Sequence, residues 1–239
     1  MFKLRRRAQD GRVLEVLDLT KTYGPPDQAT PVLRGVTFKV EAGSFCAVVG
    51  PSGSGKSTLM NIIGLLDRPT SGALRLDGLD VAFGDRAREA RFRGATIGFV
   101  FQSFNLLPRL SAWENVALPL VYAGAAARER EQSALAMLER VGLSHRAQAR
   151  PAEMSGGQRQ RVALARALIR QPRLILADEP TGSLDSVTAG EVMTLLRDLN
   201  QRLGVTVLMV THDKDLAARC ARRIEMLDGR VVADTGATA

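Results

Sequence analysis

No run of roughly eighteen apolar residues occurs in this 239-residue sequence, so it offers no membrane-spanning helix. If the protein moves anything across a bilayer, another chain is expected to supply the path. The first twelve residues are basic, but no apolar stretch follows them, so no signal peptide is expected. Cysteine is scarce: Cys46 and Cys220 lie far apart in sequence and fit no metal-binding or redox spacing. Two reduced structural thiols are expected, which suits a reducing compartment such as the cytosol. Histidine is limited to His145 and His212, and lysine to five of the 33 basic residues. The formal net charge is +8, which would suit an anionic partner. The arginines are scattered rather than clustered, however, and a solvated arginine-rich surface is the preferred reading. With 45% hydrophobic residues the chain can bury a core without a metal or disulfide framework. Its length suits one compact unit, or one unit carrying an inserted lobe. Internal repeats and low-complexity tracts are absent.

Residues 13–19 and 36–40 alternate apolar and polar side chains, as half-buried strands do. Between them, 24–31 holds three prolines and reads as a loop. Residues 45–49 form a short continuous apolar run ending in glycine, the pattern of a strand buried on both faces. A helix is expected over 58–66, strands over 73–76 and 97–101, and a charged surface helix or turn over 85–93. From 103 to about 153 strand signals disappear. Apolar stretches at 105–110 and 113–122 lead into a polar helix at 126–141, which reads as a helical lobe inserted into an α/β core. The core resumes with a helix over 155–170, then strand 174–177, helix 187–203, strand 205–210, helix 214–220 and strands 224–227 and 230–233. Such alternation implies a parallel sheet covered on both faces.

Three constellations carry chemistry. Gly50, Pro51, Ser52, Gly53, Ser54, Gly55, Lys56 and Ser57, with Thr58 next in line, match G-x-x-x-x-G-K-[ST] over 50–57, between a buried strand and a helix. Glycines at 50, 53 and 55 allow a tight turn that aims backbone N–H groups at phosphate oxygens. The following helix start favours an anion. Lys56 would reach β- and γ-phosphates, and the Ser57 hydroxyl would ligate Mg²⁺. Second, a hydrophobic strand ends in Asp178 and Glu179, and a strand end at a switch point of a parallel sheet is where ligands bind. Asp178 would hold Mg²⁺ and Glu179 would polarise or deprotonate an attacking water. Alone such a strand end is more often an ordinary acidic turn; behind a phosphate loop the balance reverses. Third, Met154, Ser155, Gly156, Gly157 and Gln158 open a second helix with an N-cap serine and two glycines. One triphosphate needs one cradle, so the second hints at a nucleotide held by another copy; the plain alternative is an ordinary capped helix.

The string 155–158 resembles the signature of ABC transporter ATPases, and residues 13–233 follow that family's order of motifs. Residues 50–58 resemble its Walker A loop. Phe101 and Gln102 resemble the Q-loop, whose glutamine contacts Mg²⁺ and water. Asp178 and Glu179 resemble Walker B with its catalytic glutamate. Ser183, Leu184 and Asp185 resemble the D-loop, and Thr211, His212 and Asp213 the switch-histidine region. Tyr23 resembles the aromatic that stacks on adenine. Met154 stands where leucine is usual, a swap that keeps volume, and Gly182 and Ser183 replace a more usual pair before Leu184 and Asp185. His145 has no partner in view and reads as surface.

The resemblance implies a P-loop NTPase (RecA-like) α/β core with a mainly parallel sheet, an N-terminal antiparallel β subdomain and an inserted helical subdomain. The expected division is one unit, 13–233, with core segments 13–102 and 155–233 and helical subdomain 103–154. It implies ATP and Mg²⁺ as ligands, and a head-to-tail homodimer. One copy would supply Tyr23, the phosphate loop, Gln102, Glu179 and His212. The other would supply Ser155, Gly156, Gly157 and Gln158, with Asp185 bridging. Integral membrane permease subunits would receive the output through an apolar groove at 103–122, placing the chain peripherally on the cytoplasmic face of the inner membrane. Residues 98–108 and 113–119 look like the subgroup of lipoprotein-releasing and macrolide-export ATPases. The competing readings are a soluble ABC ATPase acting on nucleic acid or ribosomes, for which a fused pair of motors or a coiled-coil insertion would be usual, and a scaffold without ATPase activity, against which Lys56, Glu179 and His212 argue. Nucleic acid is not the expected partner.

Overall fold

The computed structural model describes residues 11–236. The basic segment that bears on a signal peptide lies mostly outside the described residues. Strands β1 (Arg12–Tyr23), β2 (Thr30–Glu41), β4 (Ser71–Leu76) and β5 (Leu79–Asp80) form an antiparallel sheet in the order β2-β1-β4-β5. A second sheet joins β3 (Phe45–Val49), β6 (Ile97–Phe101), β7 (Leu174–Asp178), β8 (Thr206–Thr211), β9 (Arg222–Leu227) and β10 (Arg230–Asp234). Its order is β10-β9-β3-β8-β7-β6, parallel throughout except for the β9–β10 hairpin. Helices α1 (Lys56–Ile63), α2 (Arg86–Thr96), α3 (Ala112–Tyr122), α4 (Ala127–Arg140), α5 (Gly156–Leu168), α6 (Ser186–Leu203) and α7 (Lys214–Ala218) connect and cover the strands.

The continuous apolar runs make sense once both faces of the parallel sheet are seen to be covered. On β7, Leu174 and Leu176 enter a cluster with α1 and the antiparallel sheet, while Ile175 and Ala177 enter one with helices α3 to α6. Successive strand side chains point to opposite faces, so two cores require an unbroken hydrophobic strand. Each fully buried leucine contributes about 1.5–3 kcal/mol relative to exposure.

Between β6 and α5 the described structure is helical, with 3₁₀ turns at Ser144–Arg146 and Pro151–Glu153. Ser111 and Glu114 form a reciprocal cap at the start of α3. Asn115, fully buried, knits this lobe together. Its Oδ1 accepts from Leu107 N, and its Nδ2 donates to the carbonyls of Leu107, Leu110 and Ser111.

Several boundaries differ from the expectations. The helix expected over 58–66 starts at Lys56, because Gly55 takes up the left-handed conformation at its N-cap (φ 96). It stops at Ile63, and Leu65 is already left-handed (φ 54). The expected loop 24–31 contains a 3₁₀ turn, Pro26–Gln28, and gives way to β2 at Thr30. Strand β5 carried no sequence signal: it has two residues, both exposed.

Candidate nucleotide site

Parallel pairing brings the ends of β3, β7 and β8 level, with Val49 opposite Thr211, and Asp178 opposite both Phe101 and Val210. Residues 50–55 leave β3 and wrap back to α1. A Cβ on Gly50 would overlap the Met226 carbonyl oxygen, and one on Gly55 would meet Leu33 Cδ2 at 2.8 Å. The loop therefore lies hard against the body of the protein. Gly53 (φ 82) faces open space instead, with nothing within 4 Å of where a Cβ would stand. Ser54 O accepts from Gly229 N at 3.2 Å, and Gly229 O from Arg34 N at 2.9 Å. This brace by the β9–β10 turn left no local sequence signal. A cavity of about 350 Å³, lined by Thr30, Pro31, Val32, Arg34, Gly53 and Asp228, opens beside the loop.

Lys56 is only 8% exposed and makes no ion pair among the described residues. Its Nζ donates to the carbonyls of Gly50 and Pro51, both at 2.8 Å. Burial lowers its pKa, while the charges of Glu179 and Asp178 pull it back up. Asp178 is its counterpart: burial raises its pKa, the Glu179 charge adds to the rise, and Lys56 opposes it. A buried ammonium satisfied by loop carbonyls, beside a carboxylate that burial makes costly to charge, suits an incoming phosphate with its divalent cation.

Glu179 follows β7 in a left-handed conformation (φ 45), fixed by a bond from its N–H to Val210 O. Its Oε1 lies 2.6 Å from His212 Nδ1 and accepts from His212 N at 2.9 Å. Its Oε2 accepts from the buried Thr211 hydroxyl at 3.1 Å. Glu179 and His212 are thus in contact. Sequence reasoning gave Thr211 no role of its own, although it bonds both Glu179 and the amide of Asp213.

Gln102 packs on Gly182, where a Cβ would meet its Nε2 at 2.9 Å, and its carbonyl accepts from Ser183 Oγ. Tyr23 is 41% exposed, and its hydroxyl donates to Asp67 Oδ2 at 2.6 Å. Lys21 bonds the same carboxylate, and its Nζ lies over the tyrosine ring, 4.6 Å from the centroid.

At the other cradle, Ser155 Oγ accepts from Gln158 N, and Gln158 Oε1 accepts from Ser155 N. The glycines of this helix start have a second purpose that sequence reasoning missed: added Cβ atoms would meet Leu184 on Gly156 and Thr188 on Gly157. Asp185 is the N-cap of α6, accepting from Thr188 N at 3.0 Å, and that bond lowers its pKa. Met154 is buried, and His145 is exposed as expected.

Residues 33–182 match the family model described as ABC transporter. The chain belongs to the ABC transporter family. It is an ATP-binding ATPase cassette of the subgroup that includes lipoprotein-release and macrolide-export ATPases. It is 54% identical over 222 residues to the lipoprotein-releasing system ATP-binding protein LolD of Anaeromyxobacter dehalogenans, covering 92% of this chain and 93% of that protein. It is 51% identical over 225 residues to the macrolide export ATP-binding/permease protein MacB of Marinobacter nauticus, covering 94% of this chain but 35% of that longer protein. Among solved structures, the post-hydrolysis dimer of the ATP-binding cassette MJ0796 bound to ADP and Pi superposes with a TM-score of 0.83 at 43% identity, covering 92% of this chain and 97% of that one.

Proposed function

We propose that this cassette works as a head-to-tail pair of copies whose ATP-driven closure and reopening power separate integral membrane subunits. The observation that carries the proposal is the meeting of Lys56, Asp178, Glu179 and His212 around the glycine loop, while the capped start of α5 carries a second set of anion-facing groups. In this reading Lys56 and the loop amides hold the β- and γ-phosphates, and the ring of Tyr23 takes the adenine. Ser57, Asp178 and Gln102 hold Mg²⁺, which when bound neutralises phosphate charge. One carboxylate, with a hydroxyl and an amide oxygen, is enough for an ion that keeps waters and binds substrate phosphates. Glu179 polarises the attacking water, and His212 steadies Glu179 and the γ-phosphate. Ser155, Gly156, Gly157 and Gln158 of the second copy close over that phosphate, with Asp185 at the junction.

The unit 13–233 divides, in the same reading, into core segments 13–102 and 155–233 and a helical lobe 103–154 that meets the membrane subunits. Exposed Leu107, Val121 and Tyr122 on that lobe support an apolar contact there. No described helix is long and apolar enough to cross a membrane. In the proposed reading the membrane path belongs to a partner, and the cassette sits at the cytoplasmic face of the inner membrane. Lipoprotein release, or export of macrolides or peptides, is the work proposed; relatives named for lipoprotein release and for macrolide export support the first two.

Glu179→Gln tests the reading. Hydrolysis should fall by about 10²–10⁴-fold, the scale of a lost general base, while ATP is still bound and a stable dimer appears in light scattering. Turnover equal to the parent would remove Glu179 from the role.

A further inference from the structure

Three side chains of α5 grip the segment that follows β6. Gln160, fully buried, donates to Phe101 O at 3.4 Å and to Pro180 O at 2.5 Å. The Arg159 guanidinium lies 4.9 Å from the centroid of the Phe104 ring. Arg166 spans two successive carbonyls, with Nη1 donating to Asn105 O at 2.5 Å and Nη2 to Phe104 O at 2.8 Å. It makes no ion pair among the described residues. Phe104 and Asn105 are both left-handed, at φ 60 and φ 50. A bulky residue seldom adopts that conformation, and a consecutive pair persists only where the surroundings impose it. A planar fork with donors at fixed spacing suits two neighbouring carbonyls better than a single ammonium does. Gln102 lies just upstream, in the segment that this grip holds.

We propose that Arg166 is a positioning residue for Gln102: by clamping the left-handed pair Phe104 and Asn105 it fixes the Gln102 segment against the signature-bearing helix of the same chain. Any displacement of that helix then moves Gln102 with it. The proposal rests on the reading of Gln102 as part of the hydrolytic site, and it adds the side chain that sets where Gln102 stands.

The test uses the full chain and Mg²⁺-ATP, with Arg166→Gln, Arg166→Lys, Asn105→Gly and each Arg166 variant combined with Asn105→Gly. Glycine adopts the left-handed conformation unaided, so it relieves the need for the clamp. Arg166→Gln should lower kcat about tenfold with KM changed less than about twofold, and Arg166→Lys should fall between it and the parent. Asn105→Gly alone should match the parent, and added to either Arg166 variant it should restore much of the lost kcat. In the nucleotide-free chain, amide exchange across residues 102–107 should quicken in Arg166→Gln and slow again with the glycine. If Arg166→Gln does not fold, the lysine variant with and without glycine makes the same comparison. Parent-like kcat in both Arg166 variants, or no recovery on adding the glycine, overturns the proposal. A parent that does not hydrolyse ATP would instead defeat the reading of the site, and the proposal with it.

Discussion

Asp178 and Lys56 carry opposite charges in surroundings that make both costly. Because burial raises the Asp178 pKa, the folded chain binds that proton more tightly than the unfolded one. The protonated form therefore favours folding below the ordinary carboxylate range, and that advantage is lost as pH rises through the folded-state value. Asp178→Asn should accordingly raise the melting temperature of the nucleotide-free chain at neutral pH, by roughly 2–4 °C if the relief is about 1 kcal/mol, and abolish hydrolysis. The gain should vanish in acid, where the parent carboxyl is already neutral; equal melting temperatures at neutral pH would contradict burial of the carboxylate as the source of the cost. Burial likewise raises the Cys46 pKa and pushes that of Cys220 up to about 11, so alkylation of either thiol at neutral pH should be slow until the chain unfolds. The sequence made these two thiols readable as inert, and both are buried and free. It also named Lys56, Asp178, Glu179 and His212, because each sits in a local pattern. Thr211 was given no role of its own, and Asp67 was not named, because their contacts reach 32 and 44 residues away along the chain.

At the scale of elements, the parallel strands were legible because a strand buried on both faces has no polar alternation to confuse it. The end of α1 was not. Its apolar pattern runs on to Leu66, but Leu66 is 52% exposed, and Gly64 is held so close to the Phe99 ring that a Cβ would meet it at 2.7 Å. Gly64 caps the helix and Leu65 turns left-handed after it, a stop that the apolar pattern alone does not report. Asn115→Ala should destabilise the helical lobe by about 2–4 kcal/mol, measured by chemical denaturation, since it takes the side-chain partner from the Leu107 N–H and the Leu110 carbonyl and leaves the Leu107 and Ser111 carbonyls only their backbone bonds. Gly157→Ala sets helix propensity, which favours alanine by about 1 kcal/mol, against a clash with Thr188. The clash should win, costing about 1–3 kcal/mol as overpacking does, and Thr188→Ser, which removes only the offending methyl, should return most of it.

For the whole molecule, the proposed pairing turns on two glycine-bearing helix starts on one chain, those of α1 and α5. The positive balance of +8 does not decide the matter, because a scattered arginine surface needs no nucleic-acid partner. The central claim is that Lys56 of one copy and Ser155 of another meet at one nucleotide. Complementation in trans tests it most directly. Lys56→Ala and Ser155→Arg should each be inactive alone, the first for want of the phosphate-binding ammonium, the second because an arginine fills the capped helix start. In a mixed dimer one site carries both defects and the other carries neither. An equimolar mixture should therefore recover about a quarter of the parent ATPase rate, since half the dimers are mixed and each has one intact site. A mixture no more active than its two components would show that the two cradles never share a nucleotide.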